Sequence, residues 1–243
     1  MVGNWKKNSC ENLQPMRNQK KIDTKVEFGM KNFVITIGRE FGSGGHKLGQ
    51  YLAEKLGIPC YDRHLIDEAA ERGGFKTEEL EDADEMKANR FLFKVPAKCN
   101  PFTGYGKPMN DTLFVVQSQL IREYAKKGPC IIVGRCADKV LEGTEGLVSL
   151  FIYAPMEARV KEIMRRYETD EKEAEYLIKQ ADKIRKNYYN FYAKKTWADK
   201  ASYDMLIDGS RISGKELAAM LRALLKERGV ELEKVGNENQ QEK

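Results

Sequence analysis

The stretch Phe33-Val34-Ile35-Thr36-Ile37-Gly38-Arg39-Glu40-Phe41-Gly42-Ser43-Gly44-Gly45-His46-Lys47-Leu48 restricts the fold more than any other part of the chain. A short β-branched run from Phe33 to Ile37 enters a turn holding Gly42, Gly44 and Gly45, and an amphipathic stretch follows. Strand, glycine turn, helix is the layout of a phosphate cradle. Glycines let successive backbone N–H groups converge on an anion, and the helix N-terminus adds its positive dipole end. The phosphate-loop pattern reads G-x-x-x-x-G-K-[ST]. Anchored on Gly44 as its second glycine, its first glycine falls on Arg39 and its lysine on Gly45. The scaffold of a phosphoryl-transfer site is present without its best-known cation.

Helix and strand signals alternate from there. Leu48, Tyr51, Leu52 and Leu56 make one helical face, stopped by Gly57 and Pro59. A short strand is expected over Ile58 to Tyr61, ending at Asp62, then a helix carrying Leu65, Ile66, Ala69 and Ala70. Residues 75–109 are irregular in composition, which suits a substrate-covering excursion. Asn110 is the expected N-cap of an amphipathic helix that ends at Gly128-Pro129. Cys130 to Gly134 and Leu147 to Tyr153 are near-continuous apolar runs, as in strands buried on both faces of a parallel sheet. Pro155 opens a helix through about Tyr167, residues 170–192 form a long charged helix, and Tyr203 to Ile207 is the last strand. Ser213-Gly214-Lys215-Glu216 is a capping box for a helix closed by Gly229. This alternation predicts an α/β fold, a doubly wound parallel sheet flanked by helices. Ligands in such folds gather beyond the carboxyl ends of the strands. Arg39 to Lys47, Asp62-Arg63, Gly134-Arg135 and Asp208 fall there.

Composition narrows the function. With 243 residues, 41% hydrophobic and 33% charged, the chain reads as a soluble globular protein, with no apolar run of the ~20 residues a membrane span needs and no signal-peptide pattern at its start. Its five cysteines form no C-x-x-C pair and only His46 and His64 are histidines, so no zinc site is expected and a reduced, cytoplasmic setting is. The net charge of +5 is concentrated in residues 1–29, which hold six Lys/Arg against three Asp/Glu. Neither a nucleic-acid partner nor a membrane is expected. Residues 1–29 read as a disordered basic tail, and residues 30–243 as one domain.

"ITIGREFGSGGHKLGQYLAEKLGIPCYDRHLI", "GPCIIVGRCADKVL" and "YDMLIDGSRIS" together resemble the cytidylate kinase-like family, a branch of the nucleoside monophosphate kinases. The resemblance implies a P-loop kinase fold with an acceptor-binding region over about 62–127 and a helical lid over about 157–200. It implies ATP as donor, Mg2+ bridging the donor oxygens, and a small phosphate-bearing or hydroxyl acceptor such as CMP. Gly45 and Lys47 stand where the family's G-K-G-T signature has lysine and threonine. Gly134 and Arg135 match its G-R-D signature, with Cys136 in place of the aspartate.

On this reading Gly42, Ser43, Gly44, Gly45, His46 and Lys47 hold the donor phosphates, while Arg135, with Asp62, Arg63 and Arg159, holds the acceptor. Arg39 or Lys47 supplies the charge of the missing lysine, or Arg39 pairs with Glu40 or another local acid to hold the loop; Arg165, Arg166 and Arg185 neutralise the transferring phosphoryl from the lid or belong to a solvated helix face. His46 is expected to serve the cradle sterically or as a donor, not as a general base, and Tyr188, Tyr189 and Tyr192 to serve packing. Loss of the lysine and the aspartate also fits a nucleotide-binding sensor on a kinase scaffold with little turnover. A dinucleotide-binding reading fails because no third glycine follows in place.

Overall fold

The computed structural model describes residues 32–62 and 109–230. The expected tail at 1–29, the expected helix after Asp62, the irregular 75–108 stretch and Arg63 lie outside the described residues. Among those described, five strands build one parallel sheet in the order β2-β3-β1-β4-β5. They are β1 (Val34–Arg39), β2 (Cys60–Tyr61), β3 (Cys130–Val133), β4 (Leu147–Tyr153) and β5 (Met205–Asp208). The helices are α1 (Gly45–Leu56), α2 (Met109–Lys127), α3 (Ala137–Val140), α4 (Met156–Tyr167), α5 (Glu171–Ala193) and α6 (Gly214–Glu227). Helix α2 starts at Met109, so Asn110 lies inside it and is not its cap.

β1 is the central strand, with Val34 opposite Cys130 of β3 on one side and opposite Leu147 of β4 on the other. Its side chains alternate between the faces with the period of two that a pleated strand imposes. Ile35 and Ile37 join Ile131, Val133, Leu52 of α1 and Leu217 and Leu221 of α6 in one core. Val34 joins Ile132, with Leu120 and Ile121 of α2 and Leu141 after α3, in the other. Burying each such aliphatic side chain contributes about 1.5–3 kcal/mol, so helices on both faces are required. Ser213 caps α6 as the sequence signals, accepting from the Glu216 N–H while Glu216 accepts from the Ser213 N–H.

Two further clusters join helices α4 and α5 to the rest. Phe41, in the glycine loop after β1, is buried among Val160, Ile163, Ala174, Ile178 and Ala181. Tyr189 of α5 packs with Cys136, Phe151 and Tyr203, while Phe114 of α2 stacks on Tyr192 at 4.1 Å. The tyrosines of α5 therefore pack, as expected from the sequence.

A polar tie accompanies Phe41. Arg159 of α4 is 6% exposed, places Nη1 2.5 Å from Asp182 Oδ2 of α5 and Nε 3.5 Å from Glu40 Oε2, and donates to the Phe41 carbonyl at 3.3 Å. Asp182 also accepts the Phe41 N–H at 2.8 Å. Burial raises the carboxyls of both Asp182 and Glu40, opposed by these contacts. Removing one partner of a buried pair leaves the others uncompensated. Arg159→Ala should therefore cost about 3 kcal/mol of stability, read as a fall in the denaturant midpoint.

Candidate active site

The site is built around Arg39, the last residue of β1. Its side chain runs along the carboxyl edge of the sheet, from β1 past the end of β3 to the end of β2. A Cβ at Gly45 would stand 2.7 Å from the Arg39 Cβ, and one at Gly134 would strike the Arg39 guanidinium. The guanidinium then reaches Asp62, with Nη2 3.8 Å from Oδ1. The place where a phosphate loop carries its lysine is therefore glycine for a steric reason. The stem of Arg39 already fills the room that a side chain at position 45 would need.

The loop beneath has the backbone of a cradle. Gly42 and Gly44 have φ of 80° and 84°, the left-handed region open to glycine. A side chain at Gly42 would also crowd the Arg159 carbonyl at 3.1 Å, whereas Gly44 faces open space. Gly44 caps α1 with no side-chain hydrogen bond, and no acid occupies the first turn of the helix. The first N–H groups of a helix have no intrahelical partner and carry its positive dipole end, so this end of α1 suits an anion. Ser43 does not offer its hydroxyl to that space. It is buried and its Oγ lies 2.9 Å from the Glu40 carbonyl and 3.0 Å from that of Ile152.

His46, in the first turn of α1, is tied to Asp62. Its Nδ1 lies 2.6 Å from Asp62 Oδ2, with the carboxylate side chain 18% exposed and the imidazole 41% exposed. Burial would lift the Asp62 carboxyl, but the His46 hydrogen bond and the Arg39 and Arg135 charges outweigh it and hold it below the ordinary range. A carboxylate oxygen accepts, so Nδ1 of His46 is the donor in this pair.

Gly134, Arg135 and Cys136 follow β3 with φ of 78°, 56° and 53°. Two consecutive non-glycine residues in the left-handed region cost about 1–3 kcal/mol each. They are held by the Gly134 N–H donating to the Ile37 carbonyl at 2.9 Å, by the Ala137 N–H donating to the Gly134 carbonyl at 3.1 Å, and by burial of Cys136. This turn sets Arg135 near enough for its charge to act on Asp62 and Tyr188. Burial pushes the Cys136 thiol up to about 12 and that of Cys60 to about 11, so both are protonated and unreactive at neutral pH.

Helices α4 and α5 supply the far wall. Arg39, Gly42, Gly44, Gly45, His46, Lys47, Arg166 and Arg185 line one cleft, together with Glu40, Phe41 and Glu162. Arg185 donates to the Arg39 carbonyl at 3.1 Å and lies over the Phe41 ring at 5.5 Å. Burial, then the neighbouring Arg39 charge, push its guanidinium well below its ordinary value. Lys47 pairs with Glu162 at 2.6 Å, and Arg165 grips the same carboxylate with Nε and Nη2, each at 3.0 Å. The structure thus gathers Arg39, Lys47, Arg166, Arg185 and the loop in the cleft. Arg135 and Asp62 stand beside Arg39, Arg165 sits behind Glu162, and Arg159 is buried in the tie beneath the loop. The sequence reading took Glu162 and Asp182 for charges of a solvated helix face and gave them no part in the site. Nothing in their local pattern distinguishes them from solvated helix charges.

Among the described side chains of the cleft, the Mg2+ that the resemblance implies finds no uncommitted oxygen. The Ser43 hydroxyl is turned away, Glu40 takes the Ala154 N–H and Arg159, Glu162 takes Lys47 and Arg165, and Asp62 takes His46 and Arg39. Among the described residues, no group of three or more His, Cys, Asp or Glu side chains could hold a metal. No described helix is long and apolar enough to cross a membrane.

The model of the cytidylate kinase-like family matches residues 34–211. Over 202 residues the chain is 29% identical to a cytidylate kinase of Methanopyrus kandleri, which spans 79% of this chain and 92% of that protein. A crystal structure of an uncharacterized protein from Eubacterium ventriosum ATCC 27560 is similar at 30% identity, with a TM-score of 0.60, over 80% of this chain and 98% of that one.

Two outcomes follow from the geometry. Gly45→Lys alone should destabilise the fold by about 1–3 kcal/mol through overpacking, and the double variant Arg39→Ala/Gly45→Lys should regain that loss in thermal denaturation. Asp62, depressed below its ordinary 3.8, stabilises the fold fully above that value and ceases to do so as pH falls through its folded pKa. Between pH 6 and pH 3 the parent should lose more stability than Asp62→Asn, measured by urea unfolding.

Proposed function

The chain belongs to the cytidylate kinase-like family, and from that premise we propose that it transfers the γ-phosphoryl of ATP to a small acceptor, with the nucleoside monophosphate CMP the first candidate. The observation that carries this reading is the uncapped N-terminus of α1 under a glycine loop, opening into a cleft lined by Arg39, Lys47, Arg166 and Arg185. In the proposal the backbone N–H groups from Gly42 to Lys47 hold the donor's phosphates. Arg39 takes over the charge of the absent lysine, because its guanidinium lies along the sheet edge and its stem excludes a side chain at position 45. Arg185, braced on the Arg39 carbonyl, and Arg166 spread the developing charge of the transferring phosphoryl.

Arg135, aimed by its left-handed turn toward Asp62, is assigned the acceptor's phosphate, which a planar guanidinium grips with two parallel hydrogen bonds. Asp62, together with Arg63, is assigned the acceptor's remaining contacts. Lys47 and Arg165 share Glu162 and are assigned to the lid edge, where exchanging that carboxylate for a phosphate would draw α4 toward the loop. Arg159 is assigned no contact with substrate; its part is to keep loop and lid together. CMP as acceptor draws support from the Methanopyrus kandleri relative. ATP is supported by the family and by the form of the cradle.

The test is ADP formation from ATP, with Mg2+ or Mn2+ present, across CMP, dCMP, UMP, AMP and GMP. Turnover is expected with one monophosphate, and Arg135→Ala should lower kcat/KM for it by about 100-fold, as loss of a positioning contact does. Equal turnover by Arg135→Ala, or none by the parent with any acceptor, would overturn the proposal.

A further inference from the structure

We infer that Tyr189 of α5 is a positioning residue for the acceptor: its hydroxyl holds Asp138 and thereby fixes the left-handed turn that aims Arg135. This rests on the reading of Arg135 as the residue that grips the acceptor's phosphate. It goes beyond that reading by naming the side chain that sets the arginine in place.

The turn needs an external hold. Arg135 and Cys136 are consecutive non-glycine residues in the left-handed region, a strained conformation that persists only where the surroundings impose it. The element that follows does not impose it alone, because α3 has four residues and a helix that short is not stable by itself. Its orientation is set by what its side chains touch. Ala137 and Val140 are buried in the cluster that holds Leu120, Ile121 and Tyr124 of α2. The contact with α5 is Tyr189, which shares one apolar cluster with Cys136, Phe151 and Tyr203 and donates its hydroxyl to Asp138 Oδ2 at 2.6 Å. Tyr189 thus meets the turn by its ring, around Cys136, and by its hydroxyl two residues further on. The ring would pack as well without the hydroxyl, so the hydroxyl is the part that is specific to Asp138. Tyr189 is 5% exposed and buried in this cluster, so it acts on the acceptor only through the turn.

The same face of α5 holds the donor side. Asp182, Arg185 and Tyr189 stand at i, i+3 and i+7 of the helix. Asp182 accepts the Phe41 N–H of the glycine loop at 2.8 Å, and Arg185 donates to the Arg39 carbonyl at 3.1 Å. Seven residues of helix span about 10 Å, so one rigid element spaces the glycine loop, Arg39 and the Arg135 turn. The neighbouring Tyr188 adds an anchor on α2, donating to Gln117 Oε1 at 3.2 Å. Phosphoryl transfer is catalysed almost entirely by positioning and charge, so the distance between the donor and acceptor grips matters. Of the three contacts along the face, Tyr189 to Asp138 is the one on the acceptor side.

The experiment uses the full-length protein and the monophosphate, among CMP, dCMP, UMP, AMP and GMP, that gives the highest turnover. Steady-state kinetics are measured for the parent, Tyr189→Phe, Arg135→Ala and the double variant, with ATP binding followed by calorimetry. Tyr189→Phe should raise the acceptor KM about tenfold, as loss of one of two charge-assisted hydrogen bonds does. Its kcat and ATP affinity should stay within about twofold of the parent, because only acceptor binding is weakened. In the Arg135→Ala background Tyr189→Phe should change the acceptor KM no further, since the two residues act as one. Asp138→Ala, which removes the other end of the same hydrogen bond, should reproduce the rise. An unchanged acceptor KM in either single variant at Tyr189 or Asp138, an equal loss of ATP affinity, or an additive loss in the double variant overturns the inference and leaves the proposed function standing. Parent-like kinetics in Arg135→Ala, or no turnover by the parent with any acceptor, overturns both.

Discussion

One side chain organises the carboxyl edge of the sheet. Arg39 leaves the central strand, passes in front of Gly45, lies over Gly134 and ends at Asp62. Each of these neighbours answers to it. Position 45 has no room for a Cβ, position 134 must be bare and has a positive φ, and Asp62 is drawn below its ordinary pKa partly by the guanidinium charge. The phosphate-loop lysine and Arg39 are therefore alternatives in the same volume, and the chain has taken the second. An arginine from the strand brings a planar, permanently charged fork, where a lysine from the helix would bring a mobile point charge.

The second dependence is of the glycine loop on helices α4 and α5. In this fold the glycine loop is packed from below by Phe41, which sits in the apolar seam between α4 and α5. Asp182 holds the Phe41 N–H, and Arg159 links Asp182 to Glu40. The loop is thus joined to α4 and α5 by buried contacts, while Lys47 and Glu162 form a more exposed pair at its edge. Exposed pairs contribute at most about 1 kcal/mol, so the buried contacts carry most of the connection.

The fold was largely legible from apolar spacing. Cys130 to Val133 and Leu147 to Tyr153 form strands where the continuous apolar runs place them, and Ser213 and Glu216 cap α6 as their spacing dictates. Boundaries were less so: α2 begins ahead of Asn110, and the strand at Ile58 shrinks to Cys60–Tyr61. The site was legible as a set of positions but not as a set of partners. Arg159 reads in sequence as one lid arginine among several, yet it is the buried one, because Asp182 and Glu40 meet there from segments 23 and 119 positions away. Ser43 reads as a loop hydroxyl, yet its oxygen is engaged by the carbonyl of Ile152, which is 109 positions away.

The sequence alone determined the parallel sheet, the cradle at the end of its first strand and the lack of the lysine. These follow from local rules: apolar runs, glycine conformations and caps act over a few residues. Only the tertiary structure decided that the Arg39 stem fills the space beside Gly45, which arginine is buried beneath the loop, and that His46 is paired with Asp62. Those outcomes depend on side chains from distant segments meeting in one volume. Steric exclusion and charge compensation there are properties of the packed edge of the sheet and not of any segment that contributes to it.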